Sequence, residues 1–142
     1  MKQGLGIAVL GAALISAPVV ANAQQREDIG KYEYQISCAV CHGDDGKGEG
    51  SISKYYNKRA ADLTVIQKNN NGVFPFDRVY EVIDGRQTMA AHGPGDMPVW
   101  GDVYSARGAA FSFGYANLKD LESFTRGRII ALIGYIYTLQ GK

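Results

Sequence analysis

The stretch that decides the fold of this chain is Cys38-Ala39-Val40-Cys41-His42. It contains both cysteines of the sequence and one of the two histidines. A Cys-x-x-Cys-His motif is the attachment motif for c-type haem, because each thiol can form a thioether with a haem vinyl group and the adjacent imidazole is held over the iron. We therefore predict one covalently bound haem c, with Cys38 and Cys41 as its attachment residues and His42 as an axial ligand of the iron.

Three other kinds of site also use a pair of cysteines. An oxidising compartment favours a small disulfide. A structural zinc site needs about four ligands, and the chain has no second cysteine pair to supply them. A thioredoxin-like dithiol needs a βαβ context, whereas residues 26–40 have a helical pattern with no strand before them. Haem attachment is favoured because His42 follows the pair directly and a methionine lies downstream.

The N-terminal residues have the pattern of a secretory leader. Lys2 supplies a positive charge, residues 4–20 form an uncharged, mostly apolar run, and Ala21-Asn22-Ala23 provides a small-x-small cleavage site. We predict that residues 1–23 are a cleaved signal peptide, that residues 24–142 form one domain, and that the protein is periplasmic. An uncleaved membrane anchor is the alternative, although Pro18 and several glycines weaken a spanning helix of this length.

Composition and charge narrow the class of protein further. The chain has 142 residues, of which 46% are hydrophobic, so one compact domain is expected. A formal net charge of +1 provides no strong basic field, and nucleic acid is therefore not an expected partner. Residues 47–68 are locally basic and can steer an acidic partner protein, with an ordinary solvated surface as the alternative.

An electron-transfer iron with one histidine ligand usually has a methionine as the second axial ligand. Beyond the leader, the methionines are Met89 and Met97. We predict Met97 as the ligand, because Pro98 stiffens the backbone beside it and Trp100 can supply an apolar wall. Met89 is assigned to core packing. His92 is the main competitor, since imidazole binds iron well and lies five residues from Met97.

Apolar periodicity places helices around these residues. The predicted elements are an N-terminal helix over residues 27–40, a loop over 42–53, a helical turn within 55–63, a helix near 76–83 that Asp84-Gly85 ends, and a buried last helix over 126–140. Gly134 within the last helix costs helical stability, which predicts a close helix crossing with Gly30 as the matching small residue.

Three further residues are candidates for the haem pocket. Arg78 and Arg86 lie in and just after the helix near residues 76–83, and a guanidinium suits a propionate carboxylate. A surface position is an equally weighted alternative for each arginine. Trp100 is the third candidate, because it closely follows Met97.

The chain resembles the class I monohaem cytochromes c, including a group of exported bacterial cytochromes. The resemblance covers nearly all of the chain beyond the leader. It rests on Gly30-Lys31-Tyr32-Glu33-Tyr34, on the haem-attachment motif with Gly43, on Met97-Pro98-Val99-Trp100, and on Leu132-Ile133-Gly134-Tyr135-Ile136.

This resemblance implies an all-α fold, with about three to five helices packed around a covalently attached haem. The first and last helices are expected to cross at right angles, where Gly30 and Tyr34 meet Tyr135. The implied function is a one-electron carrier, not an enzyme, that meets donor and acceptor proteins at the haem edge. Alternatives are a haem subunit docked to a periplasmic dehydrogenase or oxidase, and an open-site ligand-binding or peroxidase-like haem protein. Membrane contact is expected only through a membrane-bound redox partner or an uncleaved leader.

Two features depart from the family pattern. Members often have a proline before the position of Asp62, where the backbone carbonyl accepts a hydrogen bond from the axial histidine, but Ala60-Ala61 stands here. This leaves the acceptor for His42 open. The second departure is a long segment, residues 102–125, that carries five aromatic residues. It is expected to cover the core or the haem, and a docking surface is the alternative.

Overall fold

The computed structural model describes residues 29–55, 59–86, 97–113 and 117–141, and within these ranges it contains helices and no strands. The helices are α1 (residues 29–42), α2 (Ile66–Asn69), α3 (Phe76–Asp84), α4 (Trp100–Phe111) and α5 (Leu118–Thr138), with single 3₁₀ turns at Ser53–Tyr55 and Leu63–Val65. This architecture confirms the all-α prediction. None of the described helices is both long and apolar enough to cross a membrane. The predicted signal peptide lies outside the described residues.

Helix α1 contains a π-helical turn at Tyr34–Cys38 and ends with the α-helical turn Ala39–His42. It ends because Gly43 has a φ of 79°, a left-handed value that glycine adopts without a Cβ clash. The predicted helix ended at residue 40, two residues before the observed end at His42. The whole haem-attachment motif therefore lies on helical backbone. Cysteines three residues apart on such backbone share one side of the helix.

Helix α3 has the predicted end. It stops at Asp84 because Gly85 has a φ of 65° and donates its backbone N–H to the carbonyl of Glu81. The connection from Gly85 leads to Met97, and α4 begins three residues later at Trp100. The competing ligand candidates Met89 and His92 lie outside the described residues.

The last helix begins eight residues earlier than predicted. Asn117 starts α5 with a capping box: its side chain accepts from the backbone N–H of Asp120 at 3.0 Å, and the Asp120 carboxylate accepts from the Asn117 N–H at 3.4 Å. Most of the aromatic segment 102–125 is therefore helical, in α4 and the first turns of α5. Within it, Tyr104 is fully buried whereas Phe111 and Phe113 are 82% and 89% exposed, so it both fills the core and leaves aromatic surface.

The core lies where α1, α3, α4 and α5 meet. Its buried side chains are Tyr34, Cys38, Ala39, Ile83, Trp100, Tyr104, Ile129, Leu132, Ile133, Ile136 and Leu139. Met97 is half-buried and packs against this cluster. The haem-attachment helix and the methionine-bearing connection thus share one apolar core.

The predicted contact between the first and last helices is present. A Cβ added to Gly30 would fall on the backbone carbonyl oxygen of Ala131 and lie 3.1 Å from the Cβ of Tyr135. The rings of Tyr34 and Tyr135 are 5.1 Å apart between centroids. The role predicted for Gly134 was wrong, because it is exposed and no described atom lies within 4 Å of a Cβ added there. Ala131, one turn earlier, faces α1 instead.

Candidate haem site

The two cysteine thiols are free and differ in exposure. Cys38 is 6% exposed and belongs to the core, whereas Cys41 is half-buried on the next turn of α1. Burial, together with the nearby Glu33 and Cys41, raises the pKa of the Cys38 thiol to about 12. Both sulfur atoms are therefore available for covalent attachment, and Cys38 is held in its neutral form.

The imidazole of His42 is held by a contact with the backbone. Its Nδ1 lies 2.9 Å from the backbone carbonyl oxygen of Ala61. A carbonyl oxygen can only accept a hydrogen bond, so Nδ1 carries a proton, and in the neutral imidazole Nε2 is the nitrogen with the free lone pair. This arrangement fixes the ring and raises the basicity of Nε2. The Ala61 carbonyl thereby fills the role that the departure from the family pattern had left open.

The glycine-rich turn after His42 holds the Ala60-Ala61 segment in place. The backbone N–H of Gly48 donates to the His42 carbonyl at 2.7 Å, and the N–H of Leu63 donates to the Gly46 carbonyl at 2.7 Å. Gly48 has a φ of 84°, and a Cβ added there would fall on the carbonyl oxygen of Ala60. Only glycine fits this approach between the turn and the segment that orients the imidazole.

Two other residues fix the same turn and segment. The hydroxyl of Tyr34, in the π-helical turn, donates to the Gly43 carbonyl at 2.6 Å. The carboxylate of Asp62 accepts from the backbone N–H and the hydroxyl of Thr64, at 2.8 and 2.7 Å, and these bonds lower the pKa of Asp62. These hydrogen bonds fix the turn that follows His42 and the chain that follows Ala61.

On the other side of the predicted site, Met97 and Trp100 both belong to the apolar surroundings. Trp100 is 9% exposed, and its ring lies 6.0 Å from that of Tyr104. Pro98 and Val99 between them are exposed. Among the described residues 97–99, Met97 is the one that packs on the core.

The two predicted propionate partners have different environments. Arg78 is exposed on α3. The guanidinium of Arg86 is engaged by protein carboxylates: its Nε donates to Asp84 at 2.8 Å and its Nη1 to Glu122 at 2.8 Å. These contacts favour a structural role for Arg86, and a propionate contact for Arg78 stays a prediction.

The basic stretch over residues 47–68 is partly compensated by its own acids. Arg59 pairs with Glu49 at 2.7 Å, and Lys47 lies 3.8 Å from Asp45. Both pairs are well exposed, so each contributes little to stability. The steering role of this stretch stays a prediction.

One charged group close to the site was not predicted from the sequence. Glu33, on α1 and 4% exposed, accepts from Arg107 of α4 at 3.2 Å and from Arg128 of α5 at 2.9 Å. Its partners are 74 and 95 residues away along the chain, beyond the range of any local pattern.

The residues present fit a covalently bound haem. Two free thiols lie on successive turns of one helix, an imidazole is held through its Nδ1 so that Nε2 is left for a metal, and a methionine packs on the same core. A family model described as cytochrome c oxidase, cbb3-type, subunit III matches residues 25–110, which is more than half of the chain and includes all of these groups. No curated protein and no solved structure gave a significant match.

Proposed function

Because the chain belongs to the family described as cytochrome c oxidase, cbb3-type, subunit III, a family of c-type cytochromes, we propose that it is a one-electron carrier of the periplasm with His42 and Met97 as axial ligands. Membership means that the chain carries covalently bound haem c and takes part in haem-based electron transfer. In the proposal, Cys38 and Cys41 form the thioethers, and no open position is left on the iron for a substrate.

One observation carries the proposal. The hydrogen bond from His42 Nδ1 to the Ala61 carbonyl leaves Nε2 as the basic nitrogen, directly after the cysteine pair. The bound haem supplies a single-electron couple between ferric and ferrous iron. The residues of the chain hold the iron's ligands in place, so that the site rearranges little when the oxidation state of the iron changes. The braced imidazole and the half-buried Met97 both serve that requirement.

The described surface beside the motif is suited to brief contacts with partner proteins. Tyr32, Ile36 and Val40 recur every four residues on α1 and are 57%, 49% and 41% exposed. They form an apolar strip that ends at Val40, next to the half-buried Cys41. Cys38, in contrast, is buried in the core. A small apolar surface at the haem edge is what donor and acceptor proteins need for weak, fast association.

The ligand assignment is tested by optical spectra of the purified holoprotein, oxidised and reduced. The proposal expects a low-spin c-type spectrum with a far-red methionine-to-iron band, and loss of that band in Met97→Ala. Met89→Ala is the matched control and keeps the band. A band that survives Met97→Ala assigns the ligand elsewhere, with His92→Ala as the next variant. A high-spin parent that binds carbon monoxide readily when reduced supports the open-site alternative instead.

The covalent attachment and the export are tested on the same preparation. Mass spectrometry of the denatured protein should find one haem bound to a chain that begins at residue 24. Cys38→Ala and Cys41→Ala should each lose one thioether. A chain that retains residues 1–23 and fractionates with membranes would favour the anchor.

A haem subunit docked to a larger redox enzyme is the second candidate, favoured by one surface. Phe111, Phe113 and Leu118, at the end of α4 and the start of α5, are 82%, 89% and 85% exposed. Large apolar side chains that are this exposed can mark an interface when they form one patch. Size-exclusion chromatography of native extract separates the two candidates, because the carrier elutes as a small protein and the subunit with its complex. Phe111→Ser with Phe113→Ser should release a docked subunit and leave a free carrier unchanged.

A further inference from the structure

The connection from α3 to α4 carries Met97, and both of its ends lie against one group of charged side chains. Asp84 is the last residue of α3, Arg86 follows two residues later, and Glu122 lies on α5. We call these three residues the Arg86 clasp. Asp84 is buried, and the guanidinium of Arg86 is its hydrogen-bond partner.

The clasp joins the start of the connection to the last helix. Arg86 Nε donates to Asp84 Oδ1 at 2.8 Å, while Nη1 and Nη2 donate to the two oxygens of Glu122 at 2.8 and 3.3 Å. A two-pronged contact between a guanidinium and a carboxylate restricts direction as well as distance. The backbone that leaves α3 is therefore tied to α5.

The far end of the connection rests on the same group. A Cβ added to Gly101, in the first turn of α4, would fall on the carboxylate of Asp84. A Cβ added to Gly85 would lie 3.3 Å from the Cα of Val99. The two ends of the connection are thus in close contact, and the contacting residues of its far end, Val99 and Gly101, lie two and four residues after Met97.

From this geometry we propose that Arg86 is a positioning residue, which keeps the Met97 thioether on the iron. It ties the start of the connection to α5 through Glu122 and, with Asp84, packs against the far end of the connection at Gly101. The inference rests on the proposed axial role of Met97. Fixing the ends of a chain segment lowers the number of conformations in which its ligand is away from the metal. Without the clasp, an external ligand competes more successfully for the same iron position.

The test is imidazole binding to the oxidised holoprotein, followed by loss of the far-red methionine-to-iron band. Arg86→Gln keeps much of the side-chain length but loses the charge, and we expect it to bind imidazole about tenfold more tightly than the parent. Glu122→Gln should shift the affinity in the same direction by less. Arg86→Lys should restore part of the difference, because a lysine keeps the charge but not the fork.

Two controls separate positioning from general weakening of the fold. Arg126→Gln removes the other cation that contacts Glu122, at 2.9 Å within α5, and leaves the link to α3 intact. Asn117→Ala removes the cap of α5 and lowers the free energy of unfolding without touching the clasp. Both should bind imidazole within about twofold of the parent.

The outcomes are distinct. If the parent shows the far-red band and Arg86→Gln binds imidazole no more tightly than the two controls, the clasp inference is overturned and the ligand assignment stands. If Arg86→Gln does not fold, Glu122→Gln decides by the same comparison. If the parent has no band, the proposed axial role of Met97 fails, and the inference fails with it.

Discussion

Glu33 of α1 and Arg128 of α5 form an ion pair with an oxygen-to-nitrogen distance of 2.9 Å, and Arg107 of α4 donates to the other carboxylate oxygen at 3.2 Å. One buried carboxylate therefore links three helices, and it stands directly before the π-helical turn Tyr34–Cys38. Its burial means that the two arginines are needed to offset the lost hydration.

We expect Glu33→Gln to lower the free energy of unfolding by about 2 kcal/mol, since both guanidinium groups lose their charged partner. The loss is below that for a fully buried pair because the Arg107 and Arg128 side chains are 42% and 31% exposed. Urea unfolding of the holoprotein measures it. Glu81→Gln, an exposed site on α3, is the matched control and should change little. Equal losses at the two positions would show that the three-helix link contributes nothing specific.

Two glycines that face opposite surroundings should respond to alanine with opposite signs. Gly30→Ala places a methyl group on the Ala131 carbonyl, and overpacking against backbone should cost about 2 to 3 kcal/mol. Gly134→Ala meets open space among the described residues and should stabilise α5 by up to about 1 kcal/mol. Thermal and urea unfolding of the two variants, side by side, give both values. A stabilising Gly30→Ala would contradict the observed helix approach.

These results show which parts of the molecule local sequence could predict. The haem-attachment motif, the Gly85 end of α3 and the contact of Gly30 with the last helix follow from short patterns or from the family resemblance. The start of α5 was predicted too late because the apolar periodicity begins near residue 126. The Asn117 capping box was readable in the sequence, but it precedes the apolar run.

Other features could not be predicted, for physical reasons. The acceptor for His42 is a backbone carbonyl, which every residue has, so Ala61 carries no distinguishing signal. The partners of Glu33 and Arg86 come from distant helices and depend on how those helices pack. Whether Ala131 or Gly134 faces α1 depends on the rotation of α5 about its own axis. The apolar residues of α5 cover a broad face, so the sequence does not define that rotation.

The acid dependence of stability should report on Glu122. Hydrogen bonds from Arg86 and then Arg126 lower its pKa from 4.5 to about 2. Because the folded pKa is below the unfolded one, the stabilisation is fully present above about pH 4.5 and is lost as the pH falls toward 2. The gap in unfolding free energy between parent and Glu122→Gln should therefore narrow over that interval, as measured by urea unfolding at several pH values. Glu81→Gln should show no such narrowing, and a gap for Glu122→Gln that is equally wide at pH 3 and pH 7 would contradict the assignment.

The contacts that hold the acceptor of His42 in place can be tested at Gly48. This glycine lies against Ala60, the residue before Ala61, whose carbonyl accepts the hydrogen bond from the imidazole. Gly48→Ala combines a left-handed φ of 84° with a clash on the Ala60 carbonyl, whereas Gly72→Ala has a φ of 81° and nothing within 4 Å among the described residues. The control should cost about 1 kcal/mol from backbone strain alone, and Gly48→Ala should cost more. It should also weaken the bond from Nδ1 to Ala61, lower the basicity of Nε2 and so raise the reduction potential of the holoprotein, while Gly72→Ala leaves the potential unchanged. Redox titration with unfolding curves for both variants measures the two effects.

If both variants lose the same stability and keep the parent's reduction potential, the turn that contains Gly48 does not hold the carbonyl of Ala61 in place for His42.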